Sequence, residues 1–174
     1  MIFPDWEPDE ILEDETKIWR FNENREIRVY KFGDIGWYQN GKVHREDGPA
    51  YTYPNGSQYW HQNGVFHRKD GPAIIHHKSK EWWLNGKLHR ENGPAIEYSN
   101  GTTEWYSNGK RHREDGPAIE YSDGTKEWWL NDEKIIIKYN SPSGPHAVGV
   151  TEAQFKKQWQ RLLELEHIRQ VMED

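Results

Sequence analysis

Apolar and polar positions trade places in short bursts along this chain. Ala95-Ile96-Glu97-Tyr98 alternates with a period of two, Ser99-Asn100-Gly101 interrupts it, and Thr102-Thr103-Glu104-Trp105-Tyr106 runs back. Such alternation predicts half-buried strands, and the Asn-Gly between them predicts a tight hairpin. Asn108-Gly109 predicts a second turn, Lys110-Arg111-His112-Arg113 a short extended piece, and Glu114-Asp115-Gly116-Pro117 a closing turn, where proline fixes φ and offers no N–H. The unit recurs: Gly-Pro-Ala begins at Gly48, Gly71, Gly93 and Gly116, spaced 23, 22 and 23 residues, and Trp37, Trp60, Trp82, Trp105 and Trp128 keep step. A period of this length marks a stacked array in which each unit contacts its neighbours. The predicted fold is mainly β, built from stacked hairpin repeats.

Within the array, Tyr51, Ile74, Ile96 and Ile119, with Tyr53, His76, Tyr98 and Tyr121, fall on one strand face. Together with the Trp series they are expected to form the buried stripe, leaving Thr52, Ile75, Glu97 and Glu120 on the wetter side. The third hairpin, His76-His77-Lys78-Ser79-Lys80, is one residue shorter, which accounts for the single spacing of 22. The last unit keeps Asn131-Asp132-Glu133-Lys134 but replaces His-Arg with Ile135-Ile136. Asn140–Pro145 reads as a linker or turn, and Thr151-Glu152-Ala153-Gln154 as a capping box. Phe155, Trp159, Leu162, Leu163, Ile168 and Val171 follow near helical spacing. The expected organisation is an acidic N-terminal segment and cap (1–29), the β repeat array (30–139), a linker (140–150) and an amphipathic helix (151–174) that either covers the open sheet end or is offered to a partner or a second copy.

Composition changes this picture at few points. The 33% hydrophobic content and mean hydropathy of -1.16 would suit a disordered chain. Ten tryptophans argue otherwise, since a thin sheet can be held by a few large rings. The absence of cysteine favours a reducing compartment, so a cytoplasmic location is expected. No run of 18 apolar residues predicts a membrane span, and MIFPDWEPDEILEDE lacks a basic signal-peptide start. Residues 1–18 carry seven acids against Lys17, so the remainder is neutral and no nucleic-acid patch is expected. The acidic segment is either a solvated stretch or a contact for a basic partner.

Trp-Tyr-x-Asn-Gly-Lys-x-His-Arg, followed by Gly-Pro-Ala-x-x-Tyr-x-x-Gly and the next Trp, resembles MORN-type repeats. The likeness is to the divergent MORN-variant arrays of phage and giant-virus proteins, and it covers roughly residues 30–139. The chain departs from them in its Arg after His, its added Asp-Gly-Pro-Ala and its Asn before Gly-Lys. The resemblance implies a long twisted antiparallel sheet and a scaffold that binds proteins.

Two series could carry chemistry. His44, His67, His89 and His112 are each followed by an arginine (Arg45, Arg68, Arg90, Arg113), with Asp47, Asp70, Asn92 or Asp115 three residues after the histidine. Arginine forks suit an anion groove. The alternative is structural, with Asp closing the Asp-Gly-Pro turn and Arg pairing with a Glu of its own or the next unit. A second aromatic row, Tyr38, His61, Trp83, Tyr106 and Trp129, sits beside the Trp series and should face the other way, free to anchor a protein or stack a nucleotide. Repetition disfavours an enzyme, because catalysis needs one singular arrangement. An active site would have to gather His61, His77, His146 or His167 from outside the repeated positions. Neither cofactor nor metal is expected, since cysteine is absent and the neighbours His76 and His77 should face apart.

The expected function is a non-catalytic scaffold that binds a protein partner. Through the resemblance, that is a phage accessory or anti-defence protein that binds and inhibits a host protein in the host cytoplasm, or one that binds another phage protein. The alternative is a sponge for a nucleotide-like small molecule, using the aromatic row and the His-Arg ladder. A homodimer through the C-terminal helix is a further expectation.

Overall fold

The computed structural model describes residues 7–135 and, further on, residues 157, 160, 161 and 163–165. Among these residues the fold is mainly β, dominated by one 13-stranded antiparallel sheet. It begins with Glu10–Ile11, Lys17–Asn22, Arg25–Val29 and Ile35–Gln39 and continues with strands of two or three residues. Residues 10–29 thus extend the sheet ahead of the repeats. Several acids of this segment are engaged: Glu10 pairs with Arg20, Glu15 with Lys31, and Asp14 caps the N–H of Thr16.

Each unit contributes two hairpins. The first crosses the main sheet, as in Tyr51–Thr52 with Gln58–Tyr59. Its loop closes with the Gly56 N–H donating to the Tyr53 carbonyl at 3.0 Å, and Gly56 supplies the positive φ of 84° that the three-residue turn demands. In the third unit a tighter loop replaces this one, with His76 and Ser79 exchanging both backbone bonds. That is the missing residue of the shorter period. The turn also brings the His76 and His77 rings to 4.0 Å, so they do not face apart as a continuous strand would require.

The second hairpins lie beside the main sheet: His61–Gln62 with Val65–Phe66, Trp83–Leu84 with Lys87–Leu88, Tyr106–Ser107 with Lys110–Arg111, and Trp129–Leu130 with Glu133–Lys134. Their tips, Asn-Gly in the first three and Asn131-Asp132 in the last, hold asparagine near φ 52°, as a two-residue hairpin of the type I′ class needs. Backbone bonds tie one tip to the next, Gly64 N–H to Val43, Gly86 to Phe66 and Gly109 to Leu88.

Register corrects the expected core. Gly36, Tyr51, Tyr59, Ile74, Glu81, Ile96, Glu104, Ile119 and Glu127 form one line of cross-strand partners. Each Trp follows a member of that line, so it points to the opposite face. The tryptophans therefore do not share a stripe with the isoleucines, and they are half-buried rather than buried. Tyr53, Tyr98 and Tyr121 are exposed, at 40%, 37% and 39%. Within the repeats the fully buried positions are small: Ala50, Ala73, Ala95 and Ala118 are all at 0%, the last three followed directly by the buried Ile74, Ile96 and Ile119; ahead of the repeats Ile27 is buried at 1%. Each alanine carbonyl accepts the N–H of a Trp, for example Trp60 to Ala73 at 2.7 Å.

At the C-terminal end Leu130 is buried, with Trp128, Ile135 and the helical Leu163 packed against it. Leu163 of the C-terminal segment thus packs on the last unit. The expectations for Ile136, Ile137, the 140–145 turn, the Thr151 cap and Phe155, Trp159, Leu162, Ile168 and Val171 lie outside the described residues.

Because Ala95 has no free surface, Ala95→Val should destabilise the protein by about 1–3 kcal/mol in urea unfolding. An unchanged midpoint would show that the strand junction has slack.

Candidate functional site

On the tryptophan face, each Arg of the His-Arg pair lies flat on the Trp of its own unit. Cζ sits 4.1 Å from the Trp37 ring for Arg45, 4.1 Å from Trp60 for Arg68, 3.8 Å from Trp82 for Arg90 and 3.9 Å from Trp105 for Arg113. The other side of each guanidinium meets a glycine α-carbon so closely that a Cβ on Gly48, Gly71, Gly93 or Gly116 would come within 2.8–3.0 Å of Cζ. Nε donates to Asp47, Asp70 or Asp115, and Nη1 to the carbonyl of Pro49, Pro72, Pro94 or Pro117. Arg90, beside Asn92, pairs with Glu97 at 2.7 Å, and Arg113 pairs with Glu120 at 3.2 Å in addition to Asp115, so two of the arginines meet the Glu of their following strand. The Asp serves the arginine, whose hydrogen bond, together with one from the aspartate's own backbone, holds Asp47 and Asp70 below the ordinary carboxylate range.

The histidines staple consecutive units. His44 Nδ1 accepts the Asn63 N–H at 3.0 Å, His67 that of Asn85 at 3.2 Å and His89 that of Asn108 at 3.1 Å. His112 Nδ1 lies 3.1 Å from Asn131 Oδ1. In His44 the accepting Nδ1 places the proton on Nε2, 3.6 Å from Glu46. In His67 and His112 Nδ1 also faces an amide oxygen, Asn85 Oδ1 at 2.8 Å or Asn131 Oδ1 at 3.1 Å, to which a protonated Nδ1 donates. The ladder is thus spent on the fold. The depressions between successive loops, of about 510 and 560 Å³, interleave cations with acids: Arg68, Lys69 and Arg90 with Asp70 and Glu91 in one, Arg45, Arg68 and Lys69 with Glu46, Asp47 and Asp70 in the other.

The opposite face carries the second aromatic row. Tyr30, Tyr51, Tyr53, Tyr59, Phe66 and Trp83 follow one another with ring centroids 5.0–6.1 Å apart. His61 packs on Phe66 at 4.2 Å, and Tyr38 meets Tyr30 through their hydroxyls at 2.6 Å. Burial raises the phenol pKa of Tyr38, Tyr51 and Tyr106, and pushes that of Tyr98 up to about 12 with help from the Glu104 carboxylate. The phenols remain protonated donors at neutral pH.

Toward the C-terminal end this face becomes acidic, through the glutamates that precede Trp82, Trp105 and Trp128, which the repeat motif did not single out. Glu81 accepts from Ser79 and from Trp83 Nε1. Glu104 accepts from Tyr98, Tyr106 and Arg111, and Glu127 from Trp129 Nε1 and Lys134. Their signal was a repeated Glu-Trp step. Of the predicted site residues, Tyr38, His61, Trp83, Tyr106 and Trp129 share this face, whereas Arg45, Arg68, Arg90 and Arg113 lie on the other; the two series do not form one site. Among the described residues no three metal-ligating side chains gather, and His61 and His77 do not converge with each other; His146 and His167 lie outside those residues.

Fold and site together define a β-hairpin repeat array with chemically distinct faces. Set against models of known protein families and against curated proteins, the chain matches none.

Two outcomes follow. Gly71→Ala should lift Arg68 from Trp60 and cost about 1–3 kcal/mol in urea unfolding; no loss would show the contact to be loose. Burial lowers the pKa of His61, so the unfolded chain binds a proton that the folded ring resists. Stability should fall as pH drops below about 6.5, until the folded pKa is passed. His61→Phe should flatten that part of the profile, and an identical slope in the variant would exclude His61 as the cause.

Proposed function

We propose that the protein is a non-catalytic scaffold that binds another protein through its tyrosine–glutamate face. The observation that carries this is the uninterrupted run of partly exposed rings from Tyr30 to Trp83. Tyrosine-rich surfaces supply large, rigid contact area at low entropic cost and are typical of protein interfaces. Repetition supports the same view, because invariant motif residues hold the array together while the other face varies from unit to unit. The likeness to MORN-type arrays favours a phage accessory or anti-defence protein that holds and inhibits a host protein. The sponge alternative loses support, since its arginines are stacked and tethered within the fold.

Affinity capture from host lysate should yield one stoichiometric protein. The double variant Tyr53→Ala/Tyr98→Ala should lose it, while Lys80→Ala on the tryptophan face retains it. Capture indifferent to the double variant would contradict the proposal. A heat-released nucleotide without a protein would favour the sponge.

A further inference from the structure

The units of this array carry an internal comparison. On the tyrosine–glutamate face each second hairpin presents an aromatic ring beside the residue that precedes the Trp, and the protein places its own cation there in three of the five. Arg28 lies over Tyr38 at 4.6 Å while held by Glu26. Arg111 reaches Glu104 at 3.4 Å and lies 5.6 and 5.3 Å from Tyr106 and Trp129. Lys134 pairs with Glu127 at 2.5 Å and lies 5.6 Å from the Trp129 ring. The Tyr38 unit has Gly36 before its Trp and Val43 across from its ring, and borrows Arg28 from the neighbouring strand. The His61 unit is aromatic throughout, with Tyr59 where the last three units have glutamate and Phe66 where the last two have the cation, and it offers no acid.

The Trp83 unit is the exception. It has the carboxylate, Glu81, bonded to Trp83 Nε1 at 3.0 Å as Glu127 is to Trp129. It has the ring, Trp83, with Phe66 5.4 Å away. The position across from Trp83 is Leu88, where the next two units have Arg111 and Lys134 across from Tyr106 and Trp129. Among the described residues no lysine or arginine forms an ion pair with Glu81. A half-buried carboxylate held against an indole ring is a cation site, and the neighbouring units show the chemistry that fills it.

We propose that Glu81 and Trp83 form a binding site for an arginine or lysine side chain carried by an extended basic segment of a protein partner. The inference deepens the protein-binding function proposed above and rests on it. Leu88, Phe66 and Tyr59 supply the apolar flank that such a side chain's methylene stem would cover.

A direct test titrates the full chain with an acetylated, amidated Gly-Gly-Arg-Gly-Gly peptide and follows the Trp83 indole N–H, assigned through Trp83→Phe, by NMR. The arginine peptide should move that resonance saturably. Its neutral citrulline counterpart, and the arginine peptide against Glu81→Gln, should bind about tenfold more weakly. Leu88→Arg, which supplies the cation from within as Arg111 does, should abolish the response while leaving the protein folded. Equal binding of the arginine and citrulline peptides, unchanged affinity in Glu81→Gln, or no saturable movement at ~10 mM peptide would overturn the site. A captured partner that still binds Leu88→Arg, yet is lost with Tyr53→Ala/Tyr98→Ala, would also overturn it and leave the scaffold function standing.

Discussion

A guanidinium pressed between an indole ring and a glycine α-carbon is the contact on which this array depends. A two-residue strand has too few hydrogen bonds to hold itself, and the buried hydrophobics of the units are small alanines, single isoleucines and Leu130. The arginine supplies what the core lacks. It covers the half-buried Trp, fills the space above the glycine, and ties the Asp and the Pro carbonyl of the same loop, as Arg68 does with Trp60, Gly71, Asp70 and Pro72. Such a cation–π contact is worth about 0.5–2 kcal/mol, and four copies make it a principal support. The histidine beside it reaches the next unit's Asn-Gly tip, so one dipeptide closes its own loop and fixes its neighbour.

This arrangement divides labour between faces. The motif residues are confined to the tryptophan side by geometry: a Cβ under the guanidinium would push the arginine off its stack. The tyrosine–glutamate side carries no such constraint. It grades from interlocked tyrosines to carboxylates paired with aromatic N–H and O–H groups, a surface in which neighbouring units can differ without loosening the array.

Much of the architecture was legible in the amino-acid sequence because it is local. Asn-Gly at Asn63, Asn85 and Asn108 specifies a positive-φ turn wherever it occurs, and the shortened His77-Lys78 loop accounts for the irregular period. The placement of the tryptophans was not legible from alternation alone. Register sets Trp60 beside Tyr59, and Tyr59 rather than Trp60 lies level with Ile74. The role of the arginines was also hidden, since stacking on Trp60 and contact with Gly71 join residues up to 11 positions apart that no short-range rule connects. Glu81, Glu104 and Glu127 were visible as the residue before Trp82, Trp105 and Trp128, but their meaning required knowing which face that residue occupies.

If planarity is what holds the array, charge alone cannot replace it. Lysine keeps the positive charge but cannot lie flat on an indole while bonding both an aspartate and a carbonyl at fixed angles. The decisive measurement is the urea unfolding free energy of Arg68→Lys beside Arg68→Met. The account predicts that lysine recovers little of the stability lost with methionine. Full recovery by lysine would contradict it and reduce the contact to a surface ion pair with Asp70.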